Sequence, residues 1–261
     1  MVRAATDDTM HPDGALFEYA LRLGDNCLIL GHRVSEWCGH SPVLEEDIAL
    51  ANVALDLIGQ TQLWLGLAGE LEGKGRSADD LAFLRDAGAF RNVLLVEQPN
   101  GDFGKTLARQ FLFDAWHHAM LGALQGAGDK RVAEIAEKAA KEVAYHLNRS
   151  RDLVIRLGDG TAESHSRMQR ALDDLWFYTG ELFLADEVDA AMLAAGIGPD
   201  LDDIRAQWDA EIDRTLKQAT LRRPDTGHVQ KGGKRGVHSE HLGYVLAEMQ
   251  FLQRAYPGAR W

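Results

Sequence analysis

Apolar residues recur at helical spacing over most of the chain. Between Leu16 and Trp37 they follow alternating steps of four and three residues, which is the spacing of one face of an amphipathic helix. The residues from 44 to 71 are apolar almost all round, a pattern typical of a helix buried in the middle of a protein. Ser41 and Pro42 occupy positions where an N-cap residue and a first helical proline are preferred, so we expect this second helix to begin there.

Helical spacing returns in the second part of the chain. Residues 107–125 and residues 130–157 both carry it, and a glycine-containing turn at 126–129 joins them. Two long helix hairpins in succession follow the plan of a ferritin-like four-helix bundle. Three further helical patterns lie at 167–193, after Asp200 as N-cap, and at 242–252. The sequence therefore predicts an all-α fold, a ferritin-like four-helix bundle with additional C-terminal helices.

The longest connection, residues 72–106, lies between the two hairpins. It contains a short helical pattern at 79–85 and an apolar run from Val93 to Val96. That run could form a strand, but the sequence offers no second strand to pair with it. We expect a packed loop that covers the bundle, since long ordered loops are often functional.

Composition narrows the class of protein. With 261 residues and 46% hydrophobic content, the chain can bury a large core, and we favour a single domain over residues 16–261 with a disordered or loosely packed extension at 1–15. A net charge of −12 argues against a general nucleic-acid-binding surface. Residues 1–15 lack a secretory signal and no run reaches the length of a membrane span, so we expect a cytoplasmic protein with no membrane contact.

The two cysteines, Cys27 and Cys38, lie eleven residues apart in the first predicted helix. A rise of about 1.5 Å per residue separates them by roughly 16 Å, too far for a disulfide within an intact helix. We interpret both as structural thiols, because a buried free cysteine behaves as a small hydrophobic side chain.

The fourth predicted helix carries the first candidate chemistry. Glu142 is followed three positions later by Tyr145 and four positions later by His146. Bundles that hold two irons place one Glu on each of two helices and Glu-x-x-His on each of the other two. Tyr145 therefore stands where the histidine ligand would be. On the second helix Asp56 and Gly59 occupy the corresponding positions, so one ligand is shortened and the other is missing.

The remaining inward acids do not complete a dimetal set. They are Asp25 or Glu36 on the first helix and Asp114, with His117 beside it, on the third. Two irons ordinarily need four carboxylates and two histidines. Two hypotheses stay open. The site is a remnant at Asp56, Gly59, Asp114, Glu142, Tyr145 and His146, or the chain is a self-sufficient dimetal oxidase or oxygenase that uses Asp56, Asp114, Glu142 and His146.

Two other groups have plainer interpretations. His238 and His241 flank a helix start at which Ser239 would be the cap. The stretch 222–236 is basic and rich in glycine but lacks the residue order of a phosphate loop. It is either a solvated loop or a surface that meets an acidic partner or a nucleotide tail.

Several long blocks together indicate a family. The chain resembles the PaaC family of subunits of bacterial phenylacetyl-CoA epoxidases over residues 16–261, through blocks such as LRLGDNCLILGHRVSEWCGHSP, DIALANVALDLIGQ, NVLLVEQPNGDF, RQFLFDAWHH, KEVAYHLNRSRDL, GELFLADEVD and KGGKRGVHSEHLGYVLAEMQFLQRAYPGARW. The resemblance implies a ferritin-like subunit that stabilises a homologous catalytic subunit, and in which no catalytic residue or metal is expected.

The resemblance also implies the other components of the enzyme. The diiron centre would lie in the partner subunit, NADPH, FAD and an Fe–S cluster in a reductase, and further small subunits would complete the complex. By position, it places contacts with phenylacetyl-CoA on Ala89, Phe90, Arg91 and Asn92, and on Ala190, Ala191 and Met192. Self-association of the isolated chain stays open.

Overall fold

The computed structural model describes residues 12–225 and 227–259, and within these ranges all regular structure is helical. The all-α prediction is confirmed. The first predicted helix begins at residue 12, four positions before the expected start of the domain, and residues 1–11 lie outside the described part. The helices are α1 Pro12–Ser35, α2 Leu44–Glu72, α3 Ala78–Phe83, α4 Leu94–Glu97, α5 Phe103–Leu124, α6 Lys130–Gly158, α7 Ala162–Thr179, α8 Glu187–Ala194, α9 Leu201–Gln218, α10 Glu240–Met249 and α11 Phe251–Ala255.

Two helix hairpins, α1 with α2 and α5 with α6, form the four-helix bundle. The first pair packs closely because α1 carries glycine at its crossing points. A Cβ at Gly24 would lie 2.7 Å from Leu65 Cδ2, and one at Gly31 would lie 3.3 Å from Leu57 Cβ. The buried apolar side chains of both hairpins and of the C-terminal helices belong to one connected core.

Residues 90–98 form a buried cover over α1 and α5, as expected for the long connection. The stretch Val93–Val96 is not a strand but leads into the single helical turn α4. Polar side chains from the bundle hold this cover in place. Arg33 donates to the carbonyl oxygen of Glu97 at 3.0 Å, and the fully buried Arg109 donates to the carbonyl oxygen of Gln98 and to Asn100.

The C-terminal helices pack on the outside of the bundle. α7 and α9 cover α5 and α6, where the rings of Trp176 and Trp208 lie 5.5 Å apart and Trp208 Nε1 donates to the Leu112 carbonyl oxygen at 2.9 Å. α8 lies against α1, and the Arg22 guanidinium is 2.7 Å from Asp186 Oδ2. Burial opposes ionisation of Asp186, but the hydrogen bond from Arg22 lowers the pKa of that carboxyl below its usual value.

The first interhelical turn differs from the prediction. α1 ends at Ser35, so Cys38 lies in the following turn and is exposed, whereas Cys27 is buried. The chain leaves the helix because Trp37 packs edge-on against Phe103, and its indole N–H bonds to Thr106 in α5. The expectation that both cysteines share one helix as buried thiols is therefore wrong for Cys38.

Two predicted helix boundaries are also corrected. Val43, with no side-chain cap, precedes α2, so Ser41 is not its N-cap. The pattern at 167–193 is two helices rather than one, because the chain turns through a 3₁₀ segment at Gly180–Phe183. There the carboxylate of Glu181 accepts hydrogen bonds from the backbone N–H groups of Leu94 and Gly232. These bonds join the cover to the loop that contains Gly232 and favour the break over a continuous helix.

The prediction that α2 is buried on all sides is wrong for one face. Leu44, Ile48 and Leu55 are 71%, 54% and 69% exposed. Among the described helices, α2 alone is long and apolar enough to cross a membrane, a property that the core helix of a soluble protein shares. Only 44% of its most apolar stretch of 18 residues is buried. Part of its apolar surface is therefore not used by the core of this chain.

The glycines of the helices allow a test of the packing. A Cβ at Gly69 would lie 2.3 Å from the carbonyl oxygen of Arg76, whereas one at Gly122 meets nothing within 4 Å. We expect Gly69→Ala to lower the free energy of unfolding by about 1–3 kcal/mol through overpacking. Gly122→Ala should raise it by up to about 1 kcal/mol, since alanine is the better helix former. Chemical denaturation followed by circular dichroism measures both, and changes of the same sign would contradict this packing.

Candidate functional site at the centre of the bundle

Polar side chains from all four bundle helices point into an otherwise apolar core. They form three hydrogen-bonded groups, and each group joins two or more helices. The side chains are Cys27 of α1, Asp56 and Gln60 of α2, Gln110, Asp114 and His117 of α5, and Glu142, His146 and Ser150 of α6.

The first group is centred on the amide of Gln60. Its Nε2 donates to Glu142 Oε2 at 2.9 Å, and its Oε1 lies 3.6 Å from the Cys27 sulfur, which donates to it. The same sulfur is 3.9 Å from Nε2 of His117. Burial raises the pKa of the Cys27 thiol well above its ordinary value, so this cysteine is a neutral hydrogen-bond donor and not a thiolate ligand.

The second group is a pair between α2 and α6. His146 Nε2 lies 2.9 Å from Asp56 Oδ2; the histidine side chain is buried and that of Asp56 is 36% exposed. The pair therefore sits at the edge of the core on the side where α2 and α6 meet. One of the two carboxylate oxygens of Asp56 is therefore already bonded to His146.

The third group lies around Asp114, which is completely buried. Its oxygens accept hydrogen bonds from Gln110 Nε2 at 2.7 Å and from Ser150 Oγ at 2.8 Å. Burial raises the pKa of Asp114 to about 6, against the lowering effect of His146 and these two donors. Burial also lowers the pKa of His117 to about 3, so that its imidazole is neutral at pH 7.

The structure locates the inward candidates of α6 and corrects those of α1. On α6, Tyr145 is 55% exposed, and His146, which was expected inward with Glu142, is buried. Asp25 is buried but bonded to Arg85 and to the backbone N–H of Arg91, so it forms part of the attachment of the cover. Glu36 is exposed beyond the end of α1, and neither acid joins the central groups.

The residues at the centre do not fit a pair of irons. Within the described ranges, no three His, Cys, Asp or Glu side chains converge as metal ligands would. Of the four residues considered for a self-sufficient dimetal enzyme, only Asp56 and His146 contact each other, while Glu142 bonds Gln60 and Asp114 bonds Gln110 and Ser150. Gly59 supplies no donor, and a Cβ there would meet nothing within 4 Å. Hydrogen bonds within the protein thus take the place that metal coordination would have.

Three members of the centre were missed by reasoning from the sequence. Gln60, Gln110 and Ser150 lie four positions from Asp56, Asp114 and His146 respectively. Side chains four apart on a helix share a face, so a search for amides and hydroxyls at this spacing would have found them. A search restricted to metal ligands passes over them.

The two segments assigned to the acyl-CoA lie on either side of one loop. Phe90 and Asn92 are buried in the cover, and the side chain of Arg91 bonds Glu18 at 2.9 Å. Gly233 lies against the cover, since a Cβ there would be 2.1 Å from the Asn92 carbonyl oxygen. Ala190, Ala191 and Met192 belong to α8, whose Asp189 binds Lys234 of the same loop at 2.9 Å. The two segments therefore flank loop 232–236, and their contact with substrate stays a prediction.

Taken together, two helix hairpins around a polar centre that is poor in metal donors define a class, the ferritin-like bundle without a complete dimetal ligand set. The chain belongs to the phenylacetic acid catabolic protein family, PaaA_PaaC, which it matches over residues 1–261. It is 52% identical over 246 residues to the C subunit of the 1,2-phenylacetyl-CoA epoxidase of Escherichia coli (strain K12), and the alignment covers 94% of this chain and 99% of that protein. The family resemblance seen in the sequence is thereby confirmed.

The raised pKa of Asp114 makes a testable contribution to stability. The folded state holds this proton more tightly than an unfolded Asp, whose pKa is about 3.9, so the stabilisation is complete below about pH 4 and is lost as the pH rises through 6. Asparagine does not titrate. We therefore expect the free energy of unfolding of Asp114→Asn, relative to that of the wild type, to rise by about 1 kcal/mol between about pH 5 and about pH 7.5.

Denaturation curves across this pH range measure the difference between the two chains. The lowered pKa of His117 destabilises both equally as the pH falls below about 6.5, so its effect cancels. Asp203→Asn, at an exposed position of α9, is the control for the loss of a surface carboxylate. Its difference from the wild type in free energy of unfolding should stay constant over this pH range. A flat difference for Asp114→Asn would mean that Asp114 is ionised throughout.

Proposed function

We propose that this chain is the structural, non-catalytic subunit of a 1,2-phenylacetyl-CoA epoxidase. In this role it pairs with a homologous subunit that holds the diiron centre, and it stabilises that subunit. The observation that carries the proposal is the 52% identity to the C subunit of the Escherichia coli epoxidase over nearly the full length of both chains. Identity of this extent over both lengths supports a shared role in the assembly as well as a shared fold.

The bundle centre supports the non-catalytic part of the proposal. A dimetal site needs ionised carboxylates that are free to bind metal. In this chain Glu142 accepts the Gln60 amide, Asp56 lies against His146, and Asp114 has a pKa of about 6 and two protein donors. Each of these acids already has a hydrogen-bond partner within the protein.

The other components follow from this assignment. The epoxidation of the aromatic ring would take place on the partner's diiron centre, with electrons delivered from NADPH by a separate reductase that carries FAD and an Fe–S cluster. This chain would contribute a rigid bundle beside that subunit. Its contact with the acyl-CoA, through Ala89, Phe90, Arg91 and Asn92 and through Ala190, Ala191 and Met192, belongs to the proposal and rests on position in the chain.

Metal analysis tests the proposal against the self-sufficient oxidase. We expect the full chain, purified from iron-replete cells, to carry far less than one iron per protein, because its donors are bonded to one another. The measurement is elemental analysis together with oxygen consumption in the presence of reductant. The matched control is the homologous catalytic subunit prepared in the same way. Close to two irons per chain, with oxygen uptake, would eliminate the structural assignment.

A substitution at the centre separates support from chemistry. Glu142→Gln keeps the size of the side chain and an oxygen that can accept from Gln60. We expect the reconstituted epoxidase containing this variant to assemble and to turn over phenylacetyl-CoA within about twofold of the wild type, since loss of a transition-state contact typically costs far more. A variant that assembles normally but is inactive would show that Glu142 takes part in the reaction.

A further inference from the structure

We propose that a cavity between α1, α5 and α8 binds a single chloride ion. We call it the α1–α5 cavity. It is largely enclosed, and its polar lining includes Tyr19, Arg22 and Asn26 of α1, Arg91 of the cover, Trp116 of α5 and Lys234 of loop 232–236. The inference goes beyond the proposed function, because it concerns a binding site away from the bundle centre and does not depend on where the irons lie.

The first argument is a set of buried hydrogen-bond donors. The hydroxyl group of Tyr19, Nε of Arg22 and Nε1 of Trp116 are buried, and no group of the described chain forms a hydrogen bond with them. All three residues are more than nine-tenths buried, and all three line the α1–α5 cavity. Buried polar groups in proteins normally have a partner, because an unpaired one is unfavourable. A ligand in the cavity would supply that partner.

The second argument is that these groups donate rather than accept. An arginine Nε and an indole Nε1 each carry a hydrogen and have no acceptor capacity. Burial raises the pKa of Tyr19, and the nearby carboxylate of Asp189 adds to the effect, so the phenol keeps its proton and can donate. The side-chain oxygen of Asn26 accepts from the N–H of Val93 at 2.8 Å, which leaves its amide NH2 group for a ligand. The ligand that fits these groups is an acceptor.

The number of donors favours an anion over a water molecule. A buried water makes about three hydrogen bonds, and it must place its own hydrogens on acceptors as well as receive hydrogens from donors. A chloride ion has no hydrogen to place and can accept from every donor around it. The donors of Tyr19, Arg22 and Trp116 therefore match an anion better than a water.

The charges that line the cavity point the same way. Arg22, Arg91 and Lys234 are opposed there by a single carboxylate, that of Asp189. Its Oδ2 already accepts from Arg22 at 3.2 Å and from Lys234 at 2.9 Å. Cationic groups and N–H donors are the usual surroundings of a bound anion in a protein.

Two further acids balance these cations but do not line the cavity. Glu18 is 2.9 Å from Arg91, and Asp186 is 2.7 Å from Arg22. The ion pairs are therefore complete among themselves, and a bound chloride would add a negative charge to a neutral group. Burying that charge opposes binding, so we expect a dissociation constant in the millimolar range.

The size of the cavity selects a monatomic ion. Its volume is about 20 Å³, enough for one particle of about the size of a water molecule. Phosphate, sulfate and carboxylates are too large. Apolar side chains, among them Leu23, Met120 and Leu182, complete the lining. Chloride is weakly hydrated and tolerates such neighbours better than a strongly hydrated ion does.

A crystal structure of the full chain in bromide tests the site directly. Bromide resembles chloride in charge and size, and its anomalous scattering distinguishes it from water. We expect an anomalous peak in the α1–α5 cavity, within hydrogen-bond distance of Tyr19, Arg22 or Trp116. Density in the cavity without an anomalous signal would identify a water and overturn the proposal, and so would bromide peaks that lie only elsewhere.

Thermal unfolding of the purified full chain measures the binding in solution. Chloride is raised from about 1 mM to about 100 mM, with gluconate keeping the ionic strength constant so that screening does not change. We expect the unfolding midpoint to rise by about 2–4 °C, since a ligand that binds the folded state stabilises it. Tyr19→Phe removes one donor and keeps the ring, so it should need about tenfold more chloride for the same rise.

The matched control is Tyr178→Phe. Tyr178 is a partly buried tyrosine that does not line the cavity, so this variant should respond to chloride as the wild type does. An equal response in Tyr19→Phe would show that chloride acts elsewhere on the protein and would contradict the proposal, as would a midpoint that is independent of chloride in the wild type. The bromide structure of the wild type decides the matter even if Tyr19→Phe does not fold. None of these measurements involves iron content or the turnover of Glu142→Gln, so failure of this inference is distinguishable from failure of the proposed function.

Discussion

The structure depends on one constraint, which is that a charged group buried between packed helices must have a partner. An isolated charge in the core costs far more free energy than a typical contact returns. Asp25 forms a buried ion pair with Arg85 and accepts a hydrogen bond from the backbone N–H of Arg91 at the start of the cover. Arg22 holds the start of α8 through its ion pair with Asp186. The attachments that position the outer segments on the bundle are therefore hydrogen-bonded and charged as well as apolar.

The same constraint explains the centre of the bundle. In a dimetal protein, the positive charge of the metals compensates several inward carboxylates. In this chain an amide from Gln60 and a hydroxyl from Ser150 satisfy Glu142 and Asp114. The raised pKa of Asp114 and the lowered pKa of His117 have the same cause, since burial favours the uncharged form of each. Such a centre joins the four helices through hydrogen bonds.

The outer surface of the bundle is not covered equally on all sides. Most of the bundle is covered by segments of the chain itself, so its helices need no partner there. One face of α2 keeps Leu44, Ile48 and Leu55 in water, which is unfavourable for an isolated chain but favourable if another molecule covers them. A protein that works in an assembly can tolerate that exposure.

The sequence alone determined the helices and the family, because periodicity depends only on residue order. It predicted α2, α5 and α6, the N-cap at Asp200 and the covering role of the long connection. The tertiary structure decided where α1 ends, why 167–193 breaks at Glu181, and that neither Asp25 nor Glu36 joins the centre of the bundle. Periodicity groups residues into faces, but packing selects which face meets a neighbour. For that reason the partners of Asp114 and Glu142, and the exposure of Leu55, were visible only once the helices were placed against each other.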